Sequence, residues 1–170
     1  MSGRTIGLKE DGTLICTGDM PESWKQWKDL DSIYGYGHQI MAIAKDGTVV
    51  NVTGTEAVNG MTNTSTWTDM VKLSVGNVHM AGLRSDGTVA AAGTNYCGQC
   101  DVEEWTDIVS IAVGSCATVG ITSEGRIVMA GLLPNDIFVA ESWPALDMTK
   151  ILGKTLSDRS SSSNEEDSTL

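Results

Sequence analysis

Two cysteines separated by two residues, Cys97-Gly98-Gln99-Cys100, have the spacing of a redox dithiol or of half a structural zinc site. Zinc needs four ligands, normally a second Cys-x-x-Cys or a histidine pair, and the chain offers neither. Its two histidines, His38 and His79, stand alone, and Cys16 and Cys116 fall in or beside apolar runs where packing is the natural reading. The recurring Asp-Gly pairs lack the Asp-x-Asp-x-Asp-Gly arrangement of a calcium loop. Phosphate loops, nucleophile elbows and paired catalytic carboxylates are also missing. We therefore expect no catalytic residue, no metal and no cofactor, and a chain that is not an enzyme.

The elements that hold these residues follow from composition. Among 170 residues there are 19 glycines, three prolines and few aromatics, which suits short strands and tight turns better than long helices. The formal charge of −11 disfavours gripping phosphates, so nucleic acid and anionic membrane are poor partners. No run of apolar residues is long enough for a membrane helix, and the first residues lack a signal-peptide core, so the expected location is cytoplasmic. Four cysteines in that setting read as reduced thiols. Two glycosylation-type triplets, at Asn51 and Asn63, have no consequence without export.

A repeat is visible. Asp11-Gly12-Thr13, Asp46-Gly47-Thr48 and Asp86-Gly87-Thr88 are followed by a degenerate Glu124-Gly125-Arg126, at spacings of 35, 40 and 38 residues. Each separates two apolar runs: residues 6–8 and 14–16, 41–43 and 49–50, 81–83 and 89–91, 119–121 and 127–129. Asp-Gly predicts two-residue hairpin turns with positive φ values. Gly18, Gly54, Gly93 and Gly131 close the second strands. A further strand per unit is predicted over residues 30–33, 70–73, 108–111 and 148–151. Ahead of it stands Trp27, Trp67, Trp105 or Trp143, at spacings of 40, 38 and 38. An aspartate follows two residues later at Asp29, Asp69 and Asp107; Pro144-Ala145 displace the fourth to Asp147. No 3.6-residue apolar stripe runs long enough for a helical repeat. Fixed places in every unit assign the tryptophans to packing between units. The extra residue between His38 and Ile43 predicts a β-bulge there.

Residues Trp105 to Gly114 and Gly87 to Val102, the latter through Gly93-Thr-Asn-Tyr-Cys-Gly-Gln-Cys-Asp-Val102, resemble the bacterial form of the regulator-of-chromosome-condensation repeat. The third unit is nearly a consensus copy; the resemblance spans residues 4–153 and is weakest in the fourth unit and in residues 53–66. It implies an all-β fold of β-propeller-type blades, each of four antiparallel strands with the Gln-Cys-Asp-Val-like segment outermost. It also makes Cys100 a structural residue and gives the histidine position a backbone-bonding role. Family members usually have seven blades, whereas four units are present here, near residues 4–29, 30–69, 70–107 and 108–153. The offset of the units lets the strand at 148–152 complete the first blade. A closed small ring, an open arc whose ends pair with a second copy, and a partial propeller from a longer product all stay open.

The expected organisation is a repeat domain over residues 1–156 and a disordered Ser-rich acidic tail over 157–170, whose terminal Ser168-Thr169-Leu170 fits a peptide-groove pattern by chance frequency alone. Within the domain, regular strands carry loops of differing content, residues 55–66 against 94–104. The function expected is a non-catalytic scaffold that binds a protein partner through loops. The resemblance implies this too, through bacterial members that inhibit β-lactamases by loop contacts. Its alternatives are a guanine-nucleotide exchange regulator, the eukaryotic role of the family, and a structural half-propeller forming a homo-oligomer through its end blades. Trp24 and Tyr96, aromatic residues in predicted loops outside the repeat marks, are the partner-binding candidates.

Overall fold

A computed structural model describes residues 5–37, 39–53, 61 and 64–132. His38, Gly54, Asn63, Trp143, Asp147, the strand expected at 148–151 with its proposed latching role, and the tail at 157–170 lie outside these residues. The fold is all-β. Eleven strands are described: β1 (Ile6–Leu8), β2 (Leu14–Cys16), β3 (Leu30–Tyr36), β4 (Gln39–Ala44), β5 (Val49–Asn51), β6 (Met70–Val75), β7 (His79–Arg84), β8 (Val89–Gly93), β9 (Ile108–Val113), β10 (Ala117–Thr122) and β11 (Ile127–Gly131). They form four antiparallel sheets, β1-β2, β3-β4-β5, β6-β7-β8 and β9-β10-β11, here called blades one to four. A 3₁₀ turn over Glu22–Trp24 is the one helical element among the described residues, and none of their helices is long and apolar enough to cross a membrane.

Every predicted hairpin forms, but not with the expected turn. Gly12 N–H donates to Lys9 O at 2.9 Å and Lys9 N–H to Thr13 O at 2.9 Å, the pattern of a three-residue loop ending in a glycine bulge. Gly12, Gly47, Gly87 and Gly125 have φ between 79° and 84°, while the aspartates before the first three do not have positive φ. The aspartate instead accepts from the threonine two residues on: Asp86 Oδ1 takes Thr88 N–H at 2.9 Å and Thr88 Oγ1–H at 2.7 Å. That carboxylate role is what the Asp-Gly-Thr triplet encodes.

The bulge expected between His38 and Ile43 does not form among the described residues, where Gln39 to Ile43 pair in unbroken register with Tyr36 to Ser32; a different bulge recurs in three blades. The register shifts between Leu30 and Ser32, between Met70 and Lys72, and at Ile121/Thr122 opposite Ser110 and Ile108. The extra residue is thus Asp31, Val71 or Val109, at the start of the first strand in each of these blades. Just ahead of it Asp29, Asp69 and Asp107 adopt left-handed φ of 54°, 59° and 58°, a conformation short polar side chains tolerate. The turned peptide directs the Asp107 carbonyl to Ser123 N–H at 2.8 Å, as Asp69 O takes Ser85 N–H at 2.9 Å. The segment Gln99–Val102, expected as an outermost strand, runs as turns because its backbone groups bond locally, with Asp101 N–H on Gly98 O at 3.1 Å.

Strand alternation explains how the blades stack. In β4, Met41 and Ile43 face a cluster shared with Trp67, Met70, Leu73 and Met80, whereas Ala42 faces one shared with Leu14, Trp24 and Leu30. In β7, Met80 belongs to the first of these, and Ala81 and Leu83 join Val102, Ile108, Ile111 and Ala130 on the other side. Both faces of a middle blade are therefore buried. The tryptophans sit in these seams: a Cβ on Gly82 would lie 2.8 Å from Trp67 Cζ3, and one on Gly120 would lie 2.9 Å from Trp105 Cζ3. Neighbouring blades are tied by backbone as well, since Leu30, Met70 and Ile108 N–H donate to Gly12, Gly47 and Gly87 O at 3.1, 3.0 and 3.0 Å. The two sequence marks of the repeat, Asp-Gly-Thr and Trp-x-Asp, are the two halves of one inter-blade joint.

Candidate functional site

Tyr96 and Trp24 have opposite fates. Tyr96 is 96% exposed, in the loop after β8. Trp24 is 9% exposed and belongs to the cluster between blades one and two, with Leu14, Leu30 and Val52. Its place as a partner-contact candidate is corrected: the Pro21-started 3₁₀ turn folds the indole inward, where its apolar area leaves water. One is buried between blades and the other lies in water, so they do not form one site.

The loop beneath Tyr96 is tightly framed. Asn95 Oδ1 accepts Cys100 N–H at 2.8 Å, Asn95 Nδ2–H donates to Asp101 Oδ1 at 2.7 Å, and Gln99 Oε1 accepts Cys97 N–H at 2.8 Å. Gln99 is itself buried, and its carbonyl accepts Thr118 Oγ1–H at 2.7 Å. Thr118 Oγ1 in turn lies 2.9 Å from His79 Nε2. The imidazole of His79, fully buried, thus bonds a neighbouring blade's side chain and no backbone group among the described residues, and burial holds its pKa below the ordinary 6.5. Sequence spacing gave no sign of this contact, which joins residues 39 apart.

The loop meets blade four at Gly131. A Cβ there would lie 2.1 Å from Cys116 O and 3.0 Å from Gln99 Cα, and the next residue, Leu132, donates its N–H to Cys116 O at 2.9 Å. Leu132 is 64% exposed, so an apolar side chain and an aromatic one emerge from the same framed region. Cys116 is exposed in the β9–β10 loop, contrary to the packing reading. The Cys97 pKa is raised by its neighbour Cys116, and less by burial. Cys100 turns away: its thiol reaches Thr94 O at 3.5 Å, and burial followed by the Asp101 charge pushes its pKa up.

At the opposite end of blade four, a cleft of about 240 Å³ is bordered by Glu104, Trp105, Asp107, Ser123, Glu124 and Arg126. It is smaller than usual small-molecule sites. Arg126 is engaged with Glu124 at 2.9 Å, and the border holds no nucleophile with an adjacent base. Among the described residues, no three His, Cys, Asp or Glu side chains gather as a metal site.

Residues 70–99, which hold blade three and the loop up to Gln99, match the family model for the Regulator of chromosome condensation (RCC1) repeat. No curated protein sequence matches the chain. Among solved structures, the chain is similar to the CRINKLY WD40 ectodomain of the receptor kinase ACR4 from Arabidopsis thaliana, at 16% identity and a TM-score of 0.56, over 76% of this chain and 48% of that one. Prp20p from Saccharomyces cerevisiae, whose structure is described with its binding properties to Gsp1p and histones, aligns at 12% identity and 0.54, over 75% and 43%. The ectodomain of the receptor kinase CR4 from Physcomitrella patens aligns at 15% and 0.53, over 76% and 39%. The chain spans less than half the length of each of these. At such identities the shared property is the fold alone.

Proposed function

We propose that the chain is a non-catalytic protein-binding scaffold whose contact region is the loop end of blades three and four. One observation carries the reading: Tyr96, nearly fully exposed, projects from a loop fixed by its own Asn95, Gln99 and Asp101 bonds. An exposed tyrosine on a rigid frame is the residue type that anchors interfaces, because little side-chain entropy is lost when it docks. Leu132, on the same frame, adds apolar area. Protein binding by Prp20p, which has the same fold, agrees with this use of the blades. The excess of acidic over basic residues favours a partner with a basic surface around its pocket.

Affinity capture from native lysate with the full chain and with Tyr96→Ala tests the proposal. Recovery of a reproducible partner by the parent chain, lost with the alanine variant, supports it. No reproducible partner, or equal recovery by both, overturns it.

A further inference from the structure

We propose that two copies of the chain join head to tail, the open face of blade four and residues 143–152 of each copy completing blade one of the other. Every internal seam has the same two halves. On the leading side, Met41 and Ile43 of blade two and Ala81 and Leu83 of blade three face the next blade and are at most 4% exposed. On the receiving side a glycine lies under a tryptophan ring: a Cβ on Gly82 would meet Trp67 at 2.8 Å, and one on Gly120 would meet Trp105 at 2.9 Å. Beside these glycines their strand partners, Ala90 and Val128, are partly buried in the same seams.

The two end blades each show one half of this seam. In blade four the equivalent leading residues, Val119 and Ile121, are only partly buried. Gly12, Gly47 and Gly87 O each accept from the first strand of the next blade, whereas Gly125 O accepts from no residue among those described. In blade one the equivalent receiving pair is Gly7 and Ile15. A Cβ on Gly7 would meet Ile15 Cγ2 at 3.2 Å and no tryptophan among the described residues, and Ile15 is 52% exposed. Strand β1 pairs with β2 alone, so its outer edge has no strand beside it among the described residues, the kind of edge that recruits another strand. A tryptophan for Gly7 and a strand for β1 are what Trp143 and the strand predicted over 148–151 supply in sequence.

The donor is a second copy because of curvature. The chain aligns over 76% of its length with a structure of which it spans 48%, so its blades turn by the small step of a larger ring, and four such steps do not bring blade four round to its own blade one. A partner across a two-fold axis meets both ends at once: the contact is heterologous but closes after two copies. Eight blades lie within the range that propellers adopt.

Sedimentation of the full chain over a wide range of concentration tests the proposal. The expected species has twice the mass of one chain, and Tyr96→Ala should retain it. Ile15→Asp, altered at an exposed site, and Trp143→Ala should each sediment as single chains. Mixing the two leaves one intact seam and should restore association. Hydrogen exchange at residues 5–8 should be slower in the parent chain than in Ile15→Asp. Circular dichroism verifies that each variant is folded; should Ile15→Asp not fold, Ile15→Ser must likewise weaken association. A parent chain that is monomeric throughout, a dimer that survives Ile15→Asp, no association in the mixture, or equal exchange at residues 5–8 overturns the proposal.

Discussion

His79 Nε2 lies 2.9 Å from Thr118 Oγ1, a bond between fully buried side chains of blades three and four. Because the Thr118 proton is committed to Gln99 O at 2.7 Å, the imidazole must donate through Nε2, leaving Nδ1 as the unprotonated, accepting nitrogen. Nδ1 finds no partner among the described residues. The three residues form a polar chain through an otherwise apolar seam, and its worth is measurable. Thr118→Val keeps the shape but strands a buried donor on His79 and an acceptor on Gln99. It should destabilise the fold by about 1–3 kcal/mol in urea denaturation. A change within about 0.5 kcal/mol would show the chain of bonds to be dispensable.

The same histidine sets a pH dependence. Its folded pKa is lowered by burial, whereas the unfolded chain binds the proton near 6.5. The unfolded state therefore takes up more protons below 6.5, so stability is full above that value and declines as pH falls towards the folded pKa. A separate window belongs to Asp11, Asp46 and Asp86, whose carboxyls are lowered from 3.8, first by the Thr13, Thr48 and Thr88 hydroxyls and then by their N–H groups. Their contribution is present above 3.8 and is lost as pH falls through the lowered values. Urea midpoints against pH should show a decline starting near 6.5 in the parent chain and none from this source in His79→Gln. Parallel curves for the two would refute the assignment.

Two glycines with left-handed φ separate strain from space. Gly18 has φ 77° and nothing within 4 Å of a would-be Cβ, so Gly18→Ala should cost about 1–2 kcal/mol from backbone strain alone. Gly131 has φ 100° and a Cβ there would meet the Cys116 carbonyl at 2.1 Å. Overlap with backbone cannot be relieved by a rotamer change, so Gly131→Ala should cost at least about 3 kcal/mol, strain and overlap together. Thermal melts of the two variants compare them directly; equal shifts would mean that the seam yields at Gly131.

The hairpins were legible because each keeps a short apolar alternation around one Asp-Gly turn, a signal contained within about ten residues. The turn type was not, because Asp86 acts through its carboxylate on Thr88, and residue types alone do not separate that from a left-handed aspartate. The left-handed aspartates are instead Asp29, Asp69 and Asp107, and the backbone joint they form with the next turn is a contact between units. Trp24 looked like a loop aromatic because nothing local shows that its turn folds onto Leu14 and Leu30.

Trp67 and Tyr96 offer the sharpest contrast between folding and recognition. Trp67 is 5% exposed, over Gly82 and among Met41, Met70 and Met80, so Trp67→Ala removes an aromatic ring from a packed seam and should cost about 3–5 kcal/mol. Tyr96 is almost wholly in water, and truncating it forfeits no packing in the isolated chain. Tyr96→Ala should therefore leave the melting temperature unchanged, within the effect of about 0.5 kcal/mol usual for surface positions, while partner capture is lost. If Tyr96→Ala instead lowers stability as Trp67→Ala does, the tyrosine is part of the fold and its exposure is not a recognition device.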